Sequence, residues 1–368
     1  MSKPKLIVDP QPRTTDLIFD AEAQRRLSTV AELTVFDAGP MPVDMLEKAL
    51  PEADILIGQT DLPRDRLERA SKLKAIFNVE GNFLPNIDYD HCFSHNIRVL
   101  IASPAFAVAV AEMALALGLD LARGISKSDR AFRERNEEYG FESNKESFLF
   151  TGCRVGIIGF GDLARAFRPM IRPFRCPVKV YDPWLPEREL LQHDCTPAGL
   201  EEVLSSSDAV FVFASVTSEN QGFLGEREFA LIRPGGLFVL MSRAAVVDFA
   251  ALTAAASSGR LKVATDVFPD EPFAKDHPIR DLPNVVLSGH RSGGMQEAFY
   301  EIGRMVLVDV ELLARGLHLQ ETRYTVGDNA TELDRMADKV PRTDLSSELH
   351  SGRCQGSQGM RHQRRLRP

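Results

Sequence analysis

Short apolar runs alternate with helical patterns along most of this chain, and that alternation leaves few folds open to it. A first series of runs lies at 5–8, 53–57, 73–79 and 97–101, and a second at 154–158, 178–181, 209–213, 237–241, 262–267 and 284–287. Runs of this length read as buried strands, and strands separated by helices pair in parallel, because a tight turn cannot join a parallel pair. The expected class is therefore α/β: two Rossmann-like or flavodoxin-like domains, each a parallel sheet flanked by helices, with the active site in the cleft between them.

Residues 108–133 carry an Ala- and Leu-rich pattern too long for a connector, and read as a helix crossing between the domains. A length of 368 residues exceeds one ordinary core and agrees with two. The second domain, placed at 104–295, holds six runs, enough for a full dinucleotide-binding sheet. Helical periodicity at 296–315 returns the chain to the first domain, which is placed at 1–103 plus 296–328 and is discontinuous. Beyond that the apolar periodicity is lost, and 329–368 is expected to be a disordered tail whose arginines are simply solvated.

Charge and cysteine usage exclude several function classes. A formal charge of −8 disfavours nucleic acid and anionic lipid as partners. Cys92, Cys153, Cys176, Cys195 and Cys354 are odd in number and form no CxxC pair, which argues against a disulfide framework and against a metal site. The N-terminus breaks early into Pro and charge, and the apolar stretch 108–122 is interrupted by Glu112 and Asp120. Neither secretion nor membrane insertion is expected, and the protein is placed in the cytoplasm.

Gly159, Gly161 and Ala164 stand in G-x-G-x-x-A spacing directly after one strand run and at the start of a helix. The first glycine permits the tight turn, the second lets backbone approach a pyrophosphate, and the small third residue lets helix pack on strand. Asp162 and Leu163 complete the loop, whose N–H groups meet the phosphates at the positive end of the helix dipole. Asp182 closes the next strand run, where its carboxylate would accept from ribose hydroxyls and repel a 2′-phosphate. Pro183 and Trp184 add no cation there, so NAD is favoured over NADP. Ala214, after the run at 209–213, joins the cofactor set.

Arg243, Glu271 and His290 each lie just past the carboxyl end of a strand run, where an open α/β sheet has its ligand crevice. A guanidinium to hold a carboxylate, with an imidazole tuned by an acid to move a proton, is what 2-hydroxy-acid/2-keto-acid redox chemistry needs. The segments LMSRAAVVDFAAL, ATDVFPDEP and NVVLSGHRSGG, with the glycine fingerprint upstream, resemble the D-isomer-specific 2-hydroxyacid dehydrogenases over roughly residues 73–315. The resemblance implies catalytic roles for Arg243, Glu271 and His290, and a place near the nicotinamide for Asp266. It also implies that N–H groups around Gly81 and Asn82, with Arg243, hold the substrate carboxylate. His290 would then protonate the keto oxygen as hydride arrives, and Glu271 would orient the imidazole and favour its charged form.

The chain departs from the family pattern at several points. Phe83 stands where many members have a second loop glycine, and Glu80 precedes the loop. Phe83 is either a wall of the substrate pocket or part of the first domain's core; Glu80 would repel a substrate carboxylate unless it points away. Phe213 and Ser215 replace a His and a Pro, and Ala244 replaces a Gly, all changes of packing size. The leading expectation is an NAD-dependent enzyme acting on a small 2-keto or 2-hydroxy acid, and a homodimer as the family implies. The alternatives are an NAD(H)-sensing interaction protein on the same fold, and a methyltransferase on a Rossmann-like sheet, which would not require the Arg/Glu/His set.

Overall fold

The computed structural model describes residues 3–217, 219–317 and 323–325. The expected tail at 329–368 lies outside the described residues. Two sheets organise the rest. The first contains β1 (Lys5–Asp9), β2 (Glu32–Val35), β3 (Ile55–Gly58), β4 (Ala75–Asn78) and β5 (Arg98–Ile101), all parallel, in the order β5-β4-β3-β1-β2. That is the 2-1-3-4-5 order of flavodoxin-like sheets. The second contains β6 (Val155–Ile158), β7 (Val178–Tyr181), β8 (Thr196–Pro197), β9 (Ala209–Val212), β10 (Gly236–Leu240), β11 (Leu261–Thr265) and β12 (Val285–Leu287). It is parallel throughout, in the order β12-β11-β10-β9-β6-β7-β8, which is the 3-2-1-4-5-6 dinucleotide-binding order with one strand added. A last strand, β13 (Arg323–Thr325), pairs antiparallel to β5 at the edge of the first sheet.

The strands run short and apolar because they are buried on both faces, as in β3, β4, β6, β9 and β10, where every residue is buried. Three strands, β2, β8 and β13, have no counterpart among the sequence runs. β2 is an edge strand with no buried residue, so it lacks the apolar signature. β8 is two residues long and contains Pro197, which an edge strand tolerates. The second sheet accordingly has seven strands rather than the six expected.

The crossing helix is also shorter than its pattern. It runs Ser103–Arg123 and stops at Gly124, which takes a left-handed conformation at φ 65° and donates its N–H to the Asp120 carbonyl. A separate helix, Ile125–Glu134, follows, and the Asp120 carboxylate accepts from the Ser126 N–H at 2.7 Å. The Ala/Leu pattern continued through this corner because one residue in the left-handed region turns the chain without interrupting helical periodicity on either side.

Ser103–Arg123 has a mean hydropathy of 1.9 over its most apolar stretch, enough by length and composition to cross a membrane. Packing accounts for much of that character: Val110, Ala111, Ala114, Leu117 and Leu121 are buried in one core with Val155, Phe167 and Phe211 of the second sheet's layer. Its first turn belongs to another core, where Ala102 and Ala105 meet Phe77 and Leu100. The helix Gln296–Ala314 closes that first core through Ile302, Met305, Val306 and Val310. The crossing helix thus ties the amino-terminal sheet to the glycine-fingerprint helix, Asp162–Ile171, which it packs along.

Candidate active site

The turn after β6 is set by steric exclusion. Gly159 has φ 83°, and a Cβ there would lie 2.5 Å from Ala214 Cα and 2.6 Å from Ala214 N. Only glycine fits, and the contact fixes the loops after β6 and β9 side by side at the point where the strand order reverses. Gly161 is different: a Cβ there would meet nothing within 4 Å, so its backbone borders open space. The helix it precedes has no side-chain cap at its N-terminus, which leaves N–H groups for an anion. Ala164 is fully buried, as helix-on-strand packing requires, and Leu163 packs beside it. These residues fit a dinucleotide pyrophosphate.

Asp182 follows β7, and its two carboxylate oxygens accept from Phe160 N–H at 2.7 Å and Trp184 N–H at 2.9 Å. It therefore braces the glycine loop and caps its own turn, with acceptor capacity left for ribose hydroxyls. Arg165 sits over the Phe160 ring at 5.7 Å, with its guanidinium held by Glu189 at 2.5 Å. The Asp162 side chain accepts from the Ser103 hydroxyl, so it links the fingerprint helix to the crossing helix.

Past β11 and β12 the sheet delivers an acid and an imidazole to one place. Glu271 Oε2 lies 2.6 Å from His290 Nδ1, and Glu271 Oε1 accepts from the Phe268 N–H at 3.2 Å. Burial pushes the Glu271 carboxyl up, but His290, the Phe268 N–H and the charge of Arg243 outweigh it and hold the carboxyl below its ordinary range. His290 Nε2 makes no hydrogen bond among the described residues, so the second ring nitrogen is open to a substrate oxygen. The residue has φ 48°, a left-handed conformation that a non-glycine keeps only where its surroundings impose it.

Asp266 supplies that constraint. It is fully buried, and its carboxylate accepts from Arg291 N–H at 3.1 Å, Ser292 N–H at 3.0 Å and the Ser292 hydroxyl at 2.5 Å. With no accessible surface, Asp266 holds the His290 loop from beneath.

Arg243 follows β10 and reaches across to the other sheet. Its Nη1 donates to the Ser242 carbonyl at 2.8 Å, and its Nη2 donates at 2.6 Å to the amide oxygen of Asn82, oriented toward it. Asn82 and Gly81 lie in the loop after β4, and Gly81 borders Ser103 and Phe106 of the crossing helix. Phe106 in turn touches Gly293, next to the His290 loop, at 3.1 Å from the position of a Cβ. Arg243, Gly81, Asn82 and the Glu271–His290 pair therefore border one cleft.

Two residues of this loop region, Arg13 and Asn78, carried no signal in the sequence. Arg13, past the end of β1, pairs with Glu80 at 2.6 Å and stacks over Phe299 at 4.9 Å, so the Glu80 charge is met by a cation. Asn78, nearly fully buried, accepts from Gln59 at 3.2 Å and from Glu80 N–H at 3.2 Å, and donates to the Asn82 carbonyl at 3.3 Å. Both follow or end strands of the first sheet, and the carboxyl-end rule that located Arg243 would have found them there. Phe83 packs edge-on to Tyr89 at 6.1 Å, among Leu62, Ile87 and Cys92, on the core side of the loop.

Comparison with known proteins follows the same lines. Residues 115–292 match the model of the D-isomer specific 2-hydroxyacid dehydrogenase NAD binding domain. A D-3-phosphoglycerate dehydrogenase of Mycobacterium tuberculosis is 31% identical over 276 residues, covering 74% of this chain and 51% of that protein. The chain thus spans about half the length of the phosphoglycerate dehydrogenases it matches. A hydroxypyruvate reductase of Thermotoga maritima is 29% identical over 77% of this chain and 92% of its own. Among solved structures, a phosphoglycerate oxidoreductase from Rhizobium etli superposes with a TM-score of 0.80 at 42% identity, covering 88% of this chain and 99% of that one.

Proposed function

This chain belongs to the D-isomer-specific 2-hydroxyacid dehydrogenases, and from that membership we propose an NAD-dependent oxidoreductase that interconverts a D-2-hydroxy acid and its 2-keto acid. The observation that carries the proposal is the 2.6 Å Glu271–His290 pair in the cleft that Arg243 crosses to reach Asn82. We assign the unit at 1–103 plus 296–328 to substrate and the unit at 104–295 to NAD. Gly159, Gly161, Asp162, Leu163 and Ala164 would hold the pyrophosphate through backbone, with Asp182 on the ribose and Ala214 lining the nicotinamide side. Bound NADH supplies the hydride.

The remaining steps are carried by the chain itself. The Gly81 and Asn82 backbone and Arg243 hold the substrate carboxylate, and a carboxylate replacing Asn82 on Arg243 would exchange a neutral acceptor for a charged one. His290, protonated and oriented by Glu271 at Nδ1, gives its Nε2 proton to the keto oxygen; in the oxidative direction it takes the proton from the hydroxyl. Asp266 keeps the imidazole in place during both. The relatives carry enzyme names, which leaves the sensing alternative without support.

Two further readings go with this one. Ile125, Phe132, Tyr139, Phe141 and Leu149 are exposed within one segment, and Ile125–Glu134 buries none of its residues, so we assign this face to a homodimer contact. Light scattering during gel filtration tests it. The described cysteines are all free thiols, as a reducing cytoplasm would keep them. The reaction itself is tested by following NADH oxidation with glyoxylate, hydroxypyruvate, phosphohydroxypyruvate, pyruvate, phenylpyruvate and branched 2-keto acids. Turnover of at least one, lost in His290→Ala, is the expected result; no turnover of any would overturn the proposal.

A further inference from the structure

We propose that Cys153 and Cys176 are a peroxide-sensitive dithiol that closes into an intramolecular disulfide around the glycine-fingerprint unit. The two lie far apart in sequence and form no short cysteine motif, yet the sheet sets them opposite one another. Val155 is the register partner of Val178. Cys153 and Cys176 each stand two residues before their strand begins, and they are buried in the same core as those valines. Backbone bonds fix the two stretches together, Gly152 N–H to the Phe174 carbonyl at 2.8 Å and Val155 N–H to the Pro177 carbonyl at 2.9 Å.

The sulfurs stand 3.8 Å apart. Adjacent strands about 4.8 Å apart lie inside the Cα separation of about 4.4–6.8 Å that a disulfide spans, so side-chain rotation alone can bring the sulfurs into bonding range. Each residue is 7% exposed. Of the pair, Cys176 is the more acidic thiol. Its hydrogen-bonding contact with the Cys153 thiol, the N–H groups of Gly152 and Cys153 and the charge of Arg168 favour its thiolate, against the effect of burial. Cys153 is pushed up by the same pairing and by burial. Cys92 and Cys195 have their thiols pushed up by burial, and neither has a second sulfur within hydrogen-bonding reach among the described residues.

The chemistry balances with one peroxide. The Cys176 thiolate attacks a peroxide oxygen; the O–O bond breaks, hydroxide leaves and is protonated to water, and a sulfenic acid remains on Cys176. The Cys153 sulfur then attacks the sulfenic sulfur. An S–S bond forms, the S–O bond breaks, and the departing hydroxide takes the Cys153 proton as a second water. Two thiols lose two electrons in all, and the peroxide gains them.

The closed loop would contain β6, Gly159, Gly161 and the helix Asp162–Ile171. The cysteines sit at the amino ends of β6 and β7, whereas Gly159 and Asp182 follow the carboxyl ends, so the bond staples the unit without touching the cradle. Oxidation should leave NADH affinity unchanged and raise Tm by about 5 °C or more.

The test is to treat the full chain with hydrogen peroxide, block the remaining thiols by alkylation, and map peptides without reduction. The expected product joins the peptides carrying Cys153 and Cys176, about 2 Da below their summed mass, with a yield independent of protein concentration and reversed by dithiothreitol. Cys153→Ser should leave Cys176 to accumulate as a dimedone-reactive sulfenic acid, and Cys176→Ser should leave Cys153 alkylatable. Both thiols remaining alkylatable, pairing of either with Cys92, Cys195 or Cys354, or sulfinic acid on Cys176 of the unmodified chain without a crosslink would each overturn the proposal. So would a disulfide that forms and leaves Tm unmoved, because the loop would then not be the element it constrains.

Discussion

The carboxyl ends of the two sheets border the same cleft and hold their residues in different ways. On the second sheet the contacts join one strand end to the next: Glu271 to His290, Asp266 to Ser292, Gly159 against Ala214, Asp182 to Phe160. On the first sheet Gln59 also meets Asn78 across neighbouring strand ends, but the other contacts gather side chains from separate segments: Arg13 to Glu80, and Asn82 out to Arg243. Contacts between strand ends come with the sheet order, so the chemistry of the second sheet is in place once the fold forms. Contacts made by a loop with distant partners can change without changing the fold. The second sheet's edge should therefore govern turnover and cofactor choice, and the first sheet's edge should govern how substrate is received.

The sharpest way to break this division is His290→Ala, expected to lower kcat by about 10²-fold or more with NADH affinity nearly unchanged. Stopped-flow turnover and fluorescence titration of NADH read the two quantities separately, and full activity would end the assignment. Arg243→Ala comes next. Because the guanidinium belongs to one edge and contacts the other, its loss should raise KM more than it lowers kcat. A lost charge-assisted bond of about 1.5–3 kcal/mol corresponds to roughly ten- to hundredfold in kcat/KM. An equal fall in kcat with KM untouched would move Arg243 from holding substrate to the chemical step alone.

Asp182→Ala tests cofactor choice at the same edge. Removing the carboxylate should narrow the preference for NADH over NADPH by about tenfold, roughly 1.4 kcal/mol of lost repulsion and ribose binding. Glu189 keeps Arg165 engaged, so the variant should not prefer NADPH outright. Equal use of both cofactors by the unmodified chain would contradict the reading of Asp182.

The same contrast explains what the sequence could show. Gly159 is legible because backbone geometry admits no other residue, and Arg243, Glu271 and His290 are legible because strand ends place them. Asp182 was legible as an acid at a strand end, but its two bonds to backbone were not. Asp266 is legible as an acid at a strand end, but its bonds to Arg291 and Ser292 are not. Arg13 and Glu80 are invisible as a pair, since nothing local connects a cation after β1 with an acid after β4. The corner at Gly124 and the short edge strand β8 were lost for another reason: neither interrupts or produces an apolar period.

Phe83→Ala separates loop packing from substrate recognition on the first sheet. Its ring packs on Tyr89 and is only half-buried, so the cost should be about 1 kcal/mol, below the roughly 3–5 kcal/mol of a fully buried phenylalanine. The expected result is a lower Tm with the order of preferred keto acids preserved. A changed order at unchanged Tm would instead return the ring to the pocket wall.

The smallest expected effect is a pH dependence at Glu271. Burial raises its carboxyl, but the His290 hydrogen bond and charge, the Phe268 N–H and Arg243 bring the net position below the ordinary range. A carboxyl with a depressed folded pKa binds its proton less tightly in the folded state than in the unfolded one. It therefore contributes stability above the unfolded value of about 4.3, and that stability is lost as pH falls through the folded value. The side chain is 38% exposed, so screening keeps the contribution below about 1 kcal/mol. Glu271→Gln keeps the shape and an acceptor for Nδ1 and removes the titration. Urea unfolding should show the unmodified chain ahead of the variant at neutral pH, with the gap closing as the solution is acidified below about pH 4. A gap that stays constant across that window would mean that the Glu271 charge does not stabilise the fold, and that its role is confined to orienting His290.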